Sequence, residues 1–224
     1  MKVGTDAMLL GAFTEVDNQY TVLDVGAGTG VLSLMLAQKV VELTVSAIEY
    51  DNDALKDLKL NFQQSPFKAV FSILAQDFNT LELNQEFDVI ISNPPFYKGS
   101  FTVGEKGGRS KARNEENLSF ETLLTKSSQL LKPKGRFWFI FPISNYNEIK
   151  DLITVNQLFV EKEILVYGKP NVPTRIIACL TKVPITVIEK KSLTIRNSVG
   201  GYTSEYIELT KEFHLKDLAQ IKKG

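Results

Sequence analysis

The 224-residue sequence predicts an α/β fold in which helices cover both faces of a mostly parallel β-sheet. Two observations predict it. Apolar runs of strand length alternate with segments of helical periodicity, and a glycine cluster separates the first run from the helical segment that follows it. Because strand–helix–strand connections join parallel neighbours, and the last two β-rich runs lie close together, we expect seven strands with an antiparallel edge pair.

The helices are predicted from capping residues and apolar spacing. Thr5 or Asp6 is expected to cap an opening helix, and a second helix begins at Val31, directly after the glycines. Asp51 is expected to cap a third helix, and Phe120 lies on the apolar face of a fourth. The predicted strands are residues 21–25, 43–48, 69–74, 87–92, 136–141, 158–166 and 175–181.

The composition excludes several classes of protein. A hydrophobic content of 43% is too high for a disordered chain, and no apolar run approaches the length of a membrane span. The lone Cys179 excludes an internal disulfide, which fits a cytoplasmic location. With His214 as the only histidine, we expect no metal site. A chain of this length buries about 70% of its unfolded surface, so we expect one domain and a monomer, with residues 190–224 as a C-terminal extension.

Acidic residues and glycines meet where the first three predicted strands end. Asp24 precedes the turn Gly26-Ala27-Gly28-Thr29-Gly30, Glu49 ends the second strand, and Asp77-Phe78 follows the third. A carboxylate at the end of the second strand can accept hydrogen bonds from ribose hydroxyls. A carboxylate after the third strand can accept a hydrogen bond from an adenine amino group, and an aromatic ring beside it can cover the base. Because Val31 replaces the third glycine of the G-x-G-x-x-G fingerprint, nicotinamide-dependent reduction is disfavoured.

The segment Asn93-Pro94-Pro95-Phe96 ends the fourth predicted strand and is the strongest chemical signal. Two prolines stiffen the turn and fix the neighbouring carbonyl groups. Those carbonyls and the Asn93 side chain can accept the hydrogens of a planar exocyclic amine, while Phe96 stacks on the base. Catalysis by positioning needs neither a metal nor a strong base.

These motifs resemble those of the class I S-adenosylmethionine-dependent methyltransferases, which have a Rossmann-like fold. The glycine turn resembles their motif I, and Asn93-Pro94-Pro95-Phe96 resembles the motif IV of enzymes that methylate amines. By this resemblance Asp24 faces the methionine moiety of the cofactor, Glu49 its ribose and Asp77 its adenine. The implied cofactor-binding residues are Lys2, Gly4, Thr5, Asp24, Gly26, Gly28, Gly30, Glu49, Tyr50, Asp77, Phe78 and Asn93.

Further segments narrow the resemblance to the bacterial tRNA1(Val) (adenine-37-N6)-methyltransferase family. They are residues 1–13, Gln64-Ser65-Pro66-Phe67 and Tyr202-Thr203-Ser204-Glu205-Tyr206. The family implies methylation of adenine N6 in tRNA. Two further acceptors share the chemistry and stay open as alternatives: guanine N2 of rRNA and a glutamine amide of a protein. A non-catalytic scaffold is the alternative from another class. Family members carry a further segment before residue 1, so we expect this chain to lack part of the family's N-terminus.

A basic, glycine-rich segment follows the Asn-Pro-Pro-Phe turn. Its cations are Lys98, Lys106, Arg109, Lys111 and Arg113. Beside a catalytic turn in a family that modifies tRNA, we expect them to contact phosphates. Lys132, Lys134 and Arg136 are expected either to extend this basic region or to stabilise the C-terminus of the preceding helix. The net charge of zero therefore excludes a protein that is basic everywhere, but not one with local positive charge.

Overall fold

A computed structural model describes residues 4–94 and 118–214 of the chain. Within them, one sheet contains eight strands: β1 Tyr20–Val25, β2 Leu43–Glu49, β3 Val70–Ala75, β4 Phe87–Ser92, β5 Leu131–Pro142, β6 Phe159–Lys169, β7 Val172–Thr181 and β8 Glu189–Thr194. The α-helices are α1 Thr5–Phe13, α2 Val31–Lys39, α3 Asn52–Gln63, α4 Phe120–Leu130, α5 Tyr146–Val155 and α6 Ser204–Thr210. Two 3-10 helices cover Ile143–Asn145 and Lys211–Phe213.

The strand order is β3-β2-β1-β4-β5-β7-β6-β8, and every pairing is parallel except the two made by β7. The carboxyl ends of the seven parallel strands therefore lie at one edge of the sheet, together with the amino end of β7. We call this the carboxyl edge. Ligands of open α/β sheets bind outside the carboxyl ends of the strands, at the point where the strand order reverses.

Each face of the sheet has its own hydrophobic core. On one face, α1, α2 and α6 cover a cluster centred on Leu9, Leu36, Trp138 and Tyr206. On the other, α4 and α5 cover a cluster that contains Phe137, Phe139 and Phe141. These three rings stack along β5 with centroids 4.9 and 5.0 Å apart. Cores on both faces hold the carboxyl edge as a rigid platform.

The predicted α/β architecture is confirmed, but the sheet has eight strands instead of seven. The additional strand β8 pairs in parallel with β6, so the antiparallel pair β6–β7 does not form the edge. Residues 190–194 of the predicted extension therefore belong to the sheet. Four of the six residues of β8 are exposed and only Leu193 is buried, which removes the apolar alternation that predicts a strand.

Three local predictions also differ from the structure. Gly4, and not Thr5 or Asp6, is the N-cap of α1, and no side chain caps that helix. Residues 132–135, expected to close α4, instead belong to the start of β5. Helix α5 was not predicted, because Ile149 is its only buried residue. By contrast, Asp51 caps α3 as expected, accepting hydrogen bonds from the backbone of Asp53 and Ala54.

Helix α1 is held in place from several sides. Gly11 packs so closely on α2 that a Cβ there would lie 2.6 Å from the sulfur of Met35. At the other end of α1, Asp6 accepts a 2.9 Å hydrogen bond from Arg175 of β7. No helix in the described part of the chain is long and apolar enough to cross a membrane.

Candidate active site

The glycine turn after β1 is shaped by three left-handed residues: Gly26 (φ +70°), Gly28 (φ +57°) and Gly30 (φ +81°). They have different surroundings. A Cβ at Gly26 would meet no atom of the described residues within 4 Å, whereas a Cβ at Gly30 would lie 2.6 Å from Leu58 of α3. Gly26 therefore borders open space that a ligand can occupy, and Gly30 allows α3 to pack on the turn.

Hydrogen bonds from outside the turn fix its backbone. Glu49, which is only 8% exposed, accepts a 2.8 Å bond from the amide of Gly28 through Oε2. Its Oε1 accepts bonds from the amides of Tyr50 and Asp51. The side-chain amide of Asn61 donates to the carbonyl of Thr29 at 2.8 Å. Within the described residues Oε2 accepts a single bond, so it has capacity for one further hydrogen from a ligand.

Asp24 is fully buried beneath the glycine turn. Its Oδ2 accepts hydrogen bonds from the Oγ and the amide of Ser33, at 2.7 and 3.2 Å. The Oδ1 atom has no partner within the described residues. Burial raises the pKa of Asp24 to about 6, although the bonds from Ser33 oppose that shift. A buried carboxylate with an unused oxygen is suited to a cationic or hydrogen-bond-donating ligand.

The loop after β3 is organised by a lysine that the sequence did not single out. Asp77 accepts a 2.8 Å bond from the amide of Asn79, and Phe78 is buried in the core. Lys126 of α4 donates to three carbonyl oxygens of this loop: Phe78 at 2.9 Å, Asn79 at 2.6 Å and Leu81 at 3.0 Å. All three ammonium hydrogens are thus used to hold the loop.

The Asn-Pro turn leaves the sheet beside the glycine turn. Ser92 lies opposite Val25 in the β1–β4 register, and its Oγ donates to the Val25 carbonyl at 2.9 Å. Gly26 and Asn93 therefore directly follow the ends of two neighbouring strands, and these strands lie about 4.8 Å apart. Asn93 is half-buried and Pro94 is buried. The side chain of Asn93 makes no hydrogen bond to another described residue.

The structure thus brings together Asp24, Gly26, Gly28, Glu49 and Asn93 at the centre of the carboxyl edge. Gly4 and Thr5 begin α1, and Tyr50 is 57% exposed at the end of β2. The other predicted site residues lie outside the described residues: Lys2, Pro95, Phe96, Lys98, Lys106, Arg109, Lys111 and Arg113.

Lys132, Lys134 and Arg136 do not extend a basic region at this site. They open β5 at the opposite edge of the sheet. Lys132 pairs with Asp88 at 2.8 Å, and Arg136 pairs with Glu161 at 2.7 Å. The Arg136 guanidinium lowers the pKa of Glu161. Of the two expectations, the extension of the basic region to this site was wrong, because these residues open a strand at the opposite edge.

No set of three His, Cys, Asp or Glu side chains in residues 4–94 and 118–214 is arranged to hold a metal ion.

Comparison with known proteins identifies the family of this chain. Residues 3–166 match the family described as "Methyltransferase small domain". A tRNA1(Val) (adenine(37)-N6)-methyltransferase of Bacteroides fragilis is 37% identical over 220 residues, which cover 96% of this chain and 92% of the relative. The enzyme of that name from Aliivibrio fischeri is 36% identical, covering 96% of this chain and 91% of the relative.

Solved structures support the fold. A protein of Agrobacterium tumefaciens described as a "predicted O-methyltransferase" has a TM-score of 0.70 at 17% identity, covering 92% of this chain and 95% of that chain. A putative RNA methyltransferase of Pyrococcus horikoshii has a TM-score of 0.57 at 22% identity, covering 81% and 82%. The chain therefore belongs to the methyltransferase small domain family and, within it, to the tRNA1(Val) (adenine(37)-N6)-methyltransferases.

Proposed function

We propose that this protein uses S-adenosylmethionine to methylate N6 of an adenine in tRNA, namely adenine 37 of tRNA1(Val). The observation that carries the proposal is the position of Asn93, whose strand end lies beside the glycine turn and its open space at Gly26. The names of the relatives supply the substrate. An amine-positioning turn next to a nucleoside-binding turn is the arrangement that transfer to an adenine amino group requires.

The residues at the carboxyl edge fit this cofactor. The left-handed glycines open a cradle, the unpartnered Oδ1 of Asp24 can attract an ammonium group, and Oε2 of Glu49 can accept a ribose hydroxyl. Asp77 follows β3, where it can accept an adenine amino group. Lys2, Gly4, Thr5, Tyr50 and Phe78 complete the proposed cofactor site. When bound, S-adenosylmethionine supplies an electrophilic methyl group.

Asn93 is the proposed catalytic residue. Its side-chain oxygen accepts one hydrogen of the adenine amino group, and the carbonyl in the Pro94 region accepts the other. These bonds leave electron density on the nitrogen and direct its lone pair away from the Asn-Pro turn. Pro95 is proposed to stiffen the turn and Phe96 to stack on the base. The chain contributes mainly position, because the attacking amine needs no strong base.

The substrate and the setting complete the proposal. Lys98, Lys106, Arg109, Lys111 and Arg113 contact the tRNA backbone close to the target base. We propose that the protein acts in the cytoplasm, where tRNA is modified, as a single-domain monomer and without a metal.

Methyl transfer to bulk tRNA, followed by nucleoside analysis, tests this function. The protein is incubated with radiolabelled S-adenosylmethionine and tRNA, and the RNA is digested to nucleosides. Radioactivity in N6-methyladenosine, absent from tRNA1(Val) in which adenine 37 is replaced by guanine, is the expected result. Label in N2-methylguanosine, or transfer to a glutamine-containing peptide but not to tRNA, contradicts the proposal. The absence of transfer to any of these acceptors contradicts it as well.

A further inference from the structure

We propose that Arg196 and Lys169 form a second contact with the phosphate backbone of the RNA substrate, remote from the catalytic turn. This inference rests on the proposed function, since it concerns how the same RNA is held. Both residues belong to the part of the carboxyl edge where β6 and β8 end. They define what we call the distal patch.

Arg196 is held in a fixed orientation by a stack of aromatic rings. Its guanidinium lies 4.4 Å from the centroid of Tyr202, and that ring stacks on Tyr206 at 4.7 Å. Tyr206 is 1% exposed and belongs to the core beneath α1 and α6. Nη1 of Arg196 also donates to the carbonyl of Gly200 at 2.9 Å. The guanidinium therefore loses little conformational freedom when it binds a ligand.

Both cations of the distal patch lack a carboxylate partner among the described residues. Within residues 4–94 and 118–214, neither Arg196 nor Lys169 forms an ion pair. Other cations of the β6–β8 region differ in this respect. Arg175 pairs with Asp6, Lys162 pairs with Glu15, and Lys190 lies 3.6 Å from Glu163. A preorganised guanidinium with unused donors is well suited to a phosphate oxygen.

Both cations of the distal patch lie just beyond the last pair of the β6–β8 ladder. Tyr167 lies opposite Thr194 in the parallel β6–β8 pair, and the amide of Ile195 donates to the carbonyl of Tyr167 at 2.8 Å. Lys169 and Arg196 are each two residues beyond this pair. Both cations therefore follow the same end of the β6–β8 pair, where their positive charges together attract an anion.

The distal patch lies on the same edge as Asn93, at a distance that suits a macromolecule. Four strand spacings separate β4 from β8, which is about 19 Å at about 4.8 Å per spacing. A free nucleoside bound at Asn93 cannot reach that far, whereas an RNA that presents its adenine there carries flanking phosphates across the edge. The patch therefore distinguishes an RNA substrate from a single nucleoside.

The distal patch is tested by measuring tRNA binding of variants at the patch and of a control variant that loses the same charge elsewhere. We compare Arg196→Ala, Arg196→Lys, Lys169→Ala and, as control, Lys134→Ala by measuring tRNA Kd at several salt concentrations. Lys134 is exposed at the opposite edge of the sheet, and it forms no ion pair within residues 4–94 and 118–214. Each lost phosphate contact lowers the slope of log Kd against log salt by roughly 0.7 to 0.9.

We expect Arg196→Ala and Lys169→Ala each to weaken tRNA binding by about threefold to fivefold and to reduce the salt slope, with no change in Lys134→Ala. Arg196→Lys should bind more tightly than Arg196→Ala, because it keeps the charge. Affinity for S-adenosylmethionine should stay constant in all four variants. Unchanged tRNA binding in both alanine variants at the patch, or an equal loss in Lys134→Ala, overturns the inference.

Two further measurements keep the outcome decisive. If Arg196→Ala does not fold, Lys169→Glu decides, and wild-type tRNA binding by that variant overturns the inference. Nucleoside analysis of the wild-type reaction is run in parallel. If the wild-type protein methylates adenine but the patch variants bind tRNA normally, only the inference about the distal patch is refuted. Wild-type protein that methylates nothing refutes the proposed function, whatever the variants bind.

Discussion

The ammonium nitrogen of Lys126 lies 2.6 Å from the carbonyl oxygen of Asn79 and within 3.0 Å of two more carbonyls of the same loop. A helix on one face of the sheet is thereby joined to the loop that carries Asp77. An isolated loop of this length would sample many conformations, and a ligand would have to order it at a cost in binding energy. Lys126 orders the loop before any ligand binds.

Replacement of Lys126 by Met should therefore weaken cofactor binding more than it slows the chemical step. We expect the Kd of S-adenosylmethionine to rise by about tenfold, because about 1.4 kcal/mol of loop ordering is transferred to binding. Calorimetry and steady-state kinetics check this, with a larger change in KM than in kcat. Lys150→Met, on the exposed surface of α5, is the matched control. Equal effects of the two substitutions would contradict the positioning role.

Gly26→Ala should mainly weaken cofactor binding, whereas Gly30→Ala should mainly lower the free energy of unfolding. Both force an alanine into the left-handed region, which costs about 1 to 2 kcal/mol. Gly30→Ala adds a clash with Leu58 and should lose about 1 to 3 kcal/mol more in the free energy of unfolding. Gly26→Ala should stay folded but bind S-adenosylmethionine poorly, because its methyl group enters the open space. Urea unfolding and calorimetry measure both quantities. A Gly26→Ala protein with wild-type cofactor affinity would remove Gly26 from the site.

Asp24 should make the protein less stable as pH rises from about 4 to about 6. Burial raises the pKa of its carboxyl from 3.8 to about 6, so in this range the folded protein holds a proton that the unfolded chain has released. The contribution of this carboxyl to the free energy of unfolding falls by roughly 3 kcal/mol over that range, and it is lost completely above pH 6. Denaturant unfolding of the wild type and Asp24→Asn across pH 4 to 7 measures it. A stability difference between them that does not vary with pH would refute the assignment.

Asn93→Ala should abolish most of the turnover without affecting the cofactor. We expect kcat to fall by at least about a hundredfold, because a positioned acceptor for the amine hydrogens is lost. The Kd of S-adenosylmethionine should change by less than about twofold, since the glycine turn is held by Glu49 and Asn61 instead. Single-turnover methylation and calorimetry check the two quantities. Retained turnover in Asn93→Ala would exclude Asn93 as the catalytic residue.

The sequence predicted the limits of β4, the glycine turn and the position of Asn93. Strand β4 was predicted with its observed limits because Phe87, Val89, Ile90 and Ile91 are all buried. The glycine turn and Asn93 were predicted because their residue types are unusual for a strand end. Lys126 was missed for a physical reason: its acceptors are backbone carbonyls, which leave no mark in residue types. Ser33 was missed because its partnership with Asp24 depends on how α2 docks on the sheet.

The charged strand β8 has a consequence for how the molecule meets other copies of itself. Strand β6 makes its ladder with β8 on the side away from β7. A chain shortened before Glu189 would leave the backbone amides and carbonyls of β6 open to a strand from another molecule. In the intact chain, Glu189, Lys190, Lys191 and Ser192 occupy the outer position, where their exposed charges discourage such addition. This strand, without apolar alternation, thus protects the sheet against aggregation.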